Sequence, residues 1–430
     1  SAEELVIPML AKTWNGTFVE PTTTDADGNI VINTPEELAW VALRGGAATQ
    51  GKKYIVAKDS VFNLNGMTGI TPFSTVEDVK AVGSPKADAY SSVNAWRFES
   101  DDSSSTYAFA GNFDGNGLIV YNLFTSKGRG AGGLFPVLYP SSGNSVTIKN
   151  VTVMLSHIGG YHYSGGIVGI ANAPDSSTKL TIEKCFVKNS YIYDNDDANT
   201  ACQRTTGTLV GNLLHTSTTI NNCLVINNEL SAQGIVGGLF GNTSQWGDPN
   251  KITNVVSIGN TVEATSVNYA INNKTVTYTN VYTDKTASAD GITTLTTDEM
   301  QGSAAKDNMA LAWNIDWLAG EDGAYPSIYY GEPIKDPYVW DGTYDEPTET
   351  DAEGNIIINT VQEMAWIALK GGADTANKNY KVADVDWKPE LIEIAGNSEV
   401  LTAMTSLHIP EEAVNVEGID RELQLIIDIT

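Results

Sequence analysis

Apolar residues in the middle of the chain come as short runs set between Gly, Asn, Ser and Thr, and the runs are of two kinds. One is a tetrad: Gly133-Leu-Phe-Pro136, Gly166-Ile-Val-Gly169, Thr208-Leu-Val-Gly211, Gly238-Leu-Phe-Gly241 and Tyr269-Ala-Ile-Asn272, at spacings of 33, 42, 30 and 31 residues. The other is a companion, TIKNVTV, TIEKCFV, TINNCLV, KITNVVS and VTYTNVY, beginning at Thr147, Thr181, Thr219, Lys251 and Val276. Each run has the length and residue types of a strand. A helix is expected only where the pattern changes. Thr34 and Thr360 stand as N-caps with Glu37 and Glu363 three residues on, Pro35 takes the first helical position, and Gly45-Gly46 and Gly371-Gly372 stop the two helices.

Both helices lie in one duplicated stretch. Trp14 onward, WNGTFVEPTTTDADGNIVINTPEELAWVALRGGAATQ, aligns without gaps to WDGTYDEPTETDAEGNIIINTVQEMAWIALKGGADTA from Trp340, identical at 24 of 37 positions. Each copy predicts strand, turn, strand, short helix, strand: a small α+β cap module. Between the copies, recurrence at about 30 residues is what a β-solenoid requires, because each turn of chain buries its inward side chains only by stacking on the next. A β-sandwich is the alternative. The expected domains are a cap module over 1–66, the repeat array over 67–290, a closing segment over 291–332, and a second cap-like module over 333–430. The last of these ends in an apolar strand-like run, Glu422 to Thr430, which must pair within this chain or with a neighbour.

Composition sharpens the division. The 430 residues carry 25 Lys+Arg against 52 Asp+Glu, a formal charge of −27, yet Leu118 to Asn280 holds 8 acids and 9 bases. Stacked strands lie about 4.8 Å apart, so like charges in register would repel along every ladder, and neutral repeats follow. An acidic chain without a basic stripe excludes nucleic acid as a partner and disfavours anionic membrane surfaces. No apolar run approaches the length of a transmembrane helix. Three cysteines are too few for a disulfide scaffold.

Phe109-Ala-Gly-Asn-Phe-Asp-Gly-Asn-Gly117, Asn122-Leu123, Gly132-Gly-Leu-Phe135, the TPEELAWVA helix and Tyr325-Pro326-Ser-Ile328 together resemble the GLUG-motif family over roughly residues 14 to 332. The resemblance implies an all-β fold, a right-handed parallel β-helix, on a bacterial cell-surface lipoprotein or adhesin, with no common catalytic residues. It also implies an extracellular site on the bacterial outer surface, with a lipid anchor lost together with the signal sequence. Two departures stand out: the tetrad at Tyr269 has lost its glycines, and the second module at Trp340 is not followed by repeats.

A polysaccharide hydrolase needs two carboxylates about 5–9.5 Å apart. Asp101-Asp102 and Asp196-Asp197 are the adjacent Asp pairs; Asp194, Asp196 and Asp197 fall in the polar excursion YIYDNDDANT, where solvated loop carboxylates are the bland explanation. Asp25-Ala-Asp27-Gly-Asn29 and Asp351-Ala-Glu353-Gly-Asn355 are similar to half a calcium loop, but a hairpin turn explains the same letters. His157 and His162 flank Gly159-Gly160 and are expected at the surface or in a turn; Cys185 and Cys223 occupy a ladder Val151, Cys185, Cys223, Val255 and are expected as buried, free thiols. Cofactors and metals are expected to be absent.

The candidate ligand-binding residues are Tyr161, His162, Tyr163, Tyr191, Tyr193, Asp194, Asp196, Asp197 and Trp246. Tyr161 to Tyr163 precede one tetrad, and Tyr191 and Tyr193 precede the next, so parallel stacking brings them to one edge. Aromatic faces beside hydrogen-bond acceptors make a platform for sugars; an aromatic stack sealing a corner is the structural alternative. The resulting expectation is a non-enzymatic surface protein binding a glycan or another host or bacterial surface component. A polysaccharide-active enzyme and a purely structural spacer are the other readings.

Overall fold

The computed structural model describes residues 11–58, 60–65, 96, 106–125, 130–160, 162–175, 177–194, 205–214, 217–244, 250–267, 276–286, 290–321, 323–330, 344–352, 354–370, 375 and 378–382. The chain divides into two units, residues 1–335 and 336–430.

The first unit opens with β1 (Lys12–Thr13), β2 (Ile30–Ile32), helix α1 (Pro35–Leu43), β3 (Lys53–Val56), β4 (Val61–Asn63) and the long β5 (Asn112–Tyr121), followed by β6 (Phe135–Leu138). Three repeats follow. They are β7 (Ser145–Met154), β8 (His157–Gly160), β9 (Tyr163–Gly165) and β10 (Val168–Asn172); β11 (Lys179–Lys188), β12 (Tyr191–Asp194), β13 (Thr205–Gly207) and β14 (Val210–Leu214); and β15 (Ser217–Ile226), β16 (Glu229–Gly237) and β17 (Phe240–Ser244). Strands β18 (Asn250–Ile258), β19 (Thr261–Val267), β20 (Val276–Thr283) and β21 (Ile292–Thr294) continue the pattern. Helix α2 (Gly302–Asn308) and the antiparallel pair β22 (Trp317–Leu318) and β23 (Ser327–Ile328) end the unit. The second unit shows β24 (Ile356–Ile358), helix α3 (Val361–Leu369) and β25 (Tyr380–Val382).

Among the described residues, equivalent strands of successive repeats pair in parallel. The companions β7, β11, β15, β18 and β20 lie side by side in an eleven-stranded sheet, and the tetrads lead into β6, β10, β14 and β17, a four-stranded sheet. Register follows the repeat: Ile148, Ile182, Ile220 and Ile252 align, as do Phe135, Val168, Val210 and Phe240. A six-stranded parallel sheet holds β8, β12, β16, β13 and β9, with β19 on β16. The fifth tetrad, at Tyr269, lies outside the described residues.

The expected class, an all-β right-handed parallel β-helix, is corrected by this pairing. Among the described residues the repeat strands form separate parallel sheets, none closed or curled on itself, and a right-handed β-helix is not shown. In the duplicated module, β2 and β3 are parallel neighbours joined through α1, and β24 and β25 are joined through α3. Parallel sheets with helical crossovers point to an α/β-type fold. The physical reason is that a 30-residue period specifies which strands pair and in which direction. It carries no signal for the disposition of the sheets or for hand.

Asparagine explains a second regularity. Asn150, Asn222, Asn254 and Asn280 each bend a strand of the eleven-stranded sheet with φ near 50°, a left-handed conformation that Asn tolerates better than most side chains. The bend resets the alternation, so Ile148 and Val151 both point into the core. Residues of all three sheets share that core, among them Ile158, Ile192, Val168 and Val210. The second repeat places Lys184 at the bend instead, and its Nζ lies 2.7 Å from Asp316 Oδ1.

That ion pair belongs to a cover. The opposite face of the eleven-stranded sheet carries Phe186, Leu224, Val256 and Tyr282, which pack against Met300, Met309, Leu311, Trp317 and Ile328. Asn222 is held between Asp316 and the Trp317 indole N–H. The segment expected to close the array therefore lies along an outward face. Cys185 and Cys223 are free and buried as the ladder predicts. Burial, and next to it Cys223, pushes the Cys185 thiol well above its ordinary range, so it is held protonated and unreactive. Among the described residues no helix is long and apolar enough to cross a membrane.

Candidate functional site

The six-stranded sheet is interrupted in two successive repeats at the same place. β8 ends at Gly160, paired with Asp194 at the end of β12. The next strands start side by side: Thr205 N–H donates to the His162 carbonyl at 2.8 Å, and β9 and β13 pair as Tyr163↔Thr205. The Ser164 hydroxyl donates to the Tyr193 carbonyl at 2.6 Å, tying β9 of one repeat to β12 of the next. In the third repeat β16 runs through the same region without leaving the sheet, shifting register against β19 between Ala232 and Ile235.

Aromatic side chains gather where β8 and β12 end. Tyr191 and Tyr193 are two residues apart on β12 and therefore share a face, while Ile192 between them points into the core. Their rings stack at 5.2 Å and 17°. His157, opposite Tyr191 in the register, lies 5.6 Å from the Tyr191 ring and 4.9 Å edge-on from Tyr193. Phe124 stacks on the other side of His157 at 5.1 Å and 15°. Glu229 continues the ladder next to Tyr191. Gly159 makes the packing possible: a Cβ there would stand 2.3 Å from Tyr193 Cζ, so the ring lies directly over the glycine backbone.

Burial grades the cluster. His157 is fully buried, Tyr193 is 2% exposed and Glu229 8% exposed. Tyr191, His162 and Tyr163 are half-buried, with the His162 and Tyr163 rings 5.8 Å apart. The expectation that His157 sits at the surface or in a turn is corrected: it is a strand residue whose ring is enclosed by Phe124 and the two tyrosines. Parallel stacking does bring Tyr191 and Tyr193 to the edge where His162 and Tyr163 lie. Asp194 is the last residue of β12; its side chain, together with Tyr161, Asp196, Asp197 and Trp246, lies outside the described residues.

Phe124 and Glu229 are not among the residues the sequence singles out, and His157 is expected elsewhere, although the repeat offsets carry the signal. The offsets that align Val151 with Cys185 and Cys223 also align His157 with Tyr191 and Glu229. Chemically, the cluster offers ring faces, phenol hydroxyls and one buried carboxylate. Among the described residues there is no group of three His, Cys, Asp or Glu able to hold a metal ion. At the two turns similar to half a calcium loop, Asp25 spends both carboxylate oxygens on Asn29, and Asp351 does the same with Asn355.

No family model matches the chain, and no curated protein matches it in sequence. One solved structure is similar, described as a "putative immunoglobulin A1 protease" from Bacteroides ovatus. It is 15% identical, with 72% of this chain and 94% of that chain covered at a TM-score of 0.41. At that TM-score the likeness carries no argument about fold or activity.

Proposed function

We propose that the protein is a non-enzymatic, extracellular bacterial surface protein that binds a glycan along the interrupted edge of the six-stranded sheet. The observation that supports this reading is that two successive repeats end one strand at Gly160 and Asp194 and start the next at Tyr163 and Thr205 in the same place, flanked by the half-buried rings of Tyr191 and Tyr163. Sugars present apolar ring faces to aromatic side chains and hydroxyls to carbonyls and carboxylates, and both kinds of partner are gathered here. The buried Phe124, His157 and Tyr193 hold Tyr191 in place, which reduces the ordering that binding must impose. The resemblance of residues 14 to 332 to GLUG-motif surface proteins belongs to the same proposal, as does the acidic charge that turns the chain away from nucleic acid.

A glycan array probed with the full chain tests it. Binding to at least one glycan class is expected, with Tyr191→Ala and Tyr163→Ala each weakening it about tenfold, the scale of one lost aromatic contact. Variants that retain the native circular dichroism spectrum and bind unchanged, or an array without any bound glycan, would overturn the reading.

A further inference from the structure

One lysine interrupts the row of bends in the eleven-stranded sheet. Asn150, Lys184, Asn222, Asn254 and Asn280 all take φ between 48° and 57°. Asparagine can support that left-handed conformation with a local hydrogen bond from its short side chain, and lysine cannot. Lys184 stands opposite Asn222 on adjacent parallel strands, since Glu183↔Asn221 and Phe186↔Leu224 bracket the two. Both side chains reach one carboxylate. Lys184 Nζ is 2.7 Å from Asp316 Oδ1, and Asn222 Nδ2 donates to Asp316 Oδ2 at 3.0 Å. On the other side of the amide, the Trp317 indole N–H donates to Asn222 Oδ1 at 3.2 Å. Asn222 is 3% exposed and Trp317 is fully buried against Phe186, Leu224 and Val256. An amine, a carboxamide and a carboxylate thus converge where the cover shuts out most water.

We infer that this is a modification site, at which Lys184 and Asn222 join in an intramolecular amide bond with Asp316 as the acid–base catalyst. Asp316 accepts a proton from the Lys184 ammonium, and the freed amine adds to Asn222 Cγ. The charge that develops on Oδ1 faces the Trp317 N–H, in surroundings where such a hydrogen bond is strengthened by the exclusion of water. Asp316 then returns the proton to Nδ2, the Cγ–Nδ2 bond breaks, and the departing ammonia takes the surplus proton of the newly bonded nitrogen. The ammonium and the carboxamide become a secondary amide and an ammonium ion, so atoms and charge balance without an oxidant, a reductant or a cofactor. Strand pairing and the shared carboxylate hold the reacting groups together beforehand, which removes most of the entropic barrier. The bond would tie β11 to β15 across successive repeats. The same residue types meet at Lys149, Asp114 and Asn150, where Asp114 Oδ2 is 3.1 Å from Lys149 Nζ and Oδ1 accepts from the Asn150 amide at 2.8 Å. That lysine side chain is 40% exposed, against 19% for Lys184, and it neighbours its asparagine in the chain, so the second group serves as an internal control.

Mass spectrometry of the unaltered full chain tests this. Its mass should fall about 17 Da short of that of the sequence, through loss of one ammonia, and a tryptic digest should hold one branched peptide containing residues 184 and 222. Lys149 and Asn150 should remain unmodified. Lys184→Arg, which keeps the charge, and Asp316→Asn, which keeps the shape without the proton acceptor, should each restore the full mass. A parent at full mass, with Lys184 and Asn222 in separate peptides, would overturn the proposal and leave an ion pair beside a hydrogen-bonded amide. So would a loss of the same size confined to one linear peptide, the mark of a succinimide formed at an asparagine. A branched peptide that persists in Asp316→Asn would overturn the catalytic role given to Asp316.

Discussion

Helices α1 and α3 start from the same instruction. Thr34 and Thr360 each accept the N–H of the glutamate three residues on, at 3.2 Å, and each glutamate reaches back to the cap backbone. Upstream, Asp25 and Asp351 hold the same turn through Asn29 and Asn355. The surroundings then diverge. The face led by Leu38 is closed over in a core with Phe109, Phe113 and Phe135, whereas the corresponding face of α3 leaves Met364 open. Capping and turn chemistry thus specify the unit, because their partners lie within a few residues. Burial of the helix face is specified by what packs against it.

The largest expected effect follows directly. Leu38→Ala should destabilise the first unit by about 2–5 kcal/mol, the range for a buried leucine whose surroundings cannot collapse. Met364→Ala, at a position 43% exposed, should remove under about 0.5 kcal/mol from the second unit. Urea unfolding, with the two units' transitions followed by hydrogen exchange, checks both values. Similar losses at the two positions would erase the contrast.

Gly46 sharpens it by a different route. It has φ +47°, and a Cβ there would meet the Thr106 carbonyl oxygen at 1.7 Å. Gly46→Ala should therefore cost about 2–3 kcal/mol, from left-handed strain together with displacement of a backbone segment. The close approach exists because residue 106 leads into the array beside the first copy. A Gly46→Ala protein as stable as the parent would mean that the first module docks more loosely than its burial suggests.

The sequence made the strands, their parallel pairing partners and the two capping boxes legible, since each is written in local spacing or in repeat offset. The ladder Val151, Cys185, Cys223, Val255 was readable for the same reason. The disposition of the sheets was not, and the right-handed β-helix that the resemblance implies is not what the sheets show. The outward apolar positions Phe186, Leu224 and Val256 looked like further strand residues, because their cover, around Met309 and Trp317, is far away in sequence and shares no period with them. At the candidate site Tyr191 and Tyr193 were legible from their place before a tetrad. His157 was misassigned because adjacent Gly159-Gly160 looks like a turn, while in the folded chain the first of these glycines makes room for the Tyr193 ring.

The capping boxes predict equality rather than contrast. Thr34→Ala and Thr360→Ala should each cost their own unit about 1 kcal/mol, because the lost hydrogen bonds are the same and the cap lies at the start of each helix. Helix amide exchange measures the two separately. A loss at Thr360 several times that at Thr34 would show that the second unit depends on its helix more than the first does, and the local origin assigned to capping would fail.

The smallest effect is the acid response of the first turn. Asp25 Oδ1 accepts from the N–H of Asp27 at 3.0 Å and of Asn29 at 2.8 Å, and Oδ2 accepts from the Asn29 amide at 2.8 Å. Chiefly through the Asn29 side chain, these bonds hold the Asp25 carboxyl below its ordinary value of 3.8. A carboxyl depressed in the fold stabilises it above its unfolded pKa, and that stabilisation is lost as pH falls through the folded value. Asp25→Asn keeps one acceptor oxygen but surrenders the charge. The parent should therefore melt slightly higher than the variant near neutral pH, with the difference shrinking steadily as the pH is taken below 3.8. Melting curves of the two proteins at matched ionic strength decide it. A difference that stays constant down to the lowest pH would assign the turn's stability to its geometry alone, with no contribution from the carboxylate charge.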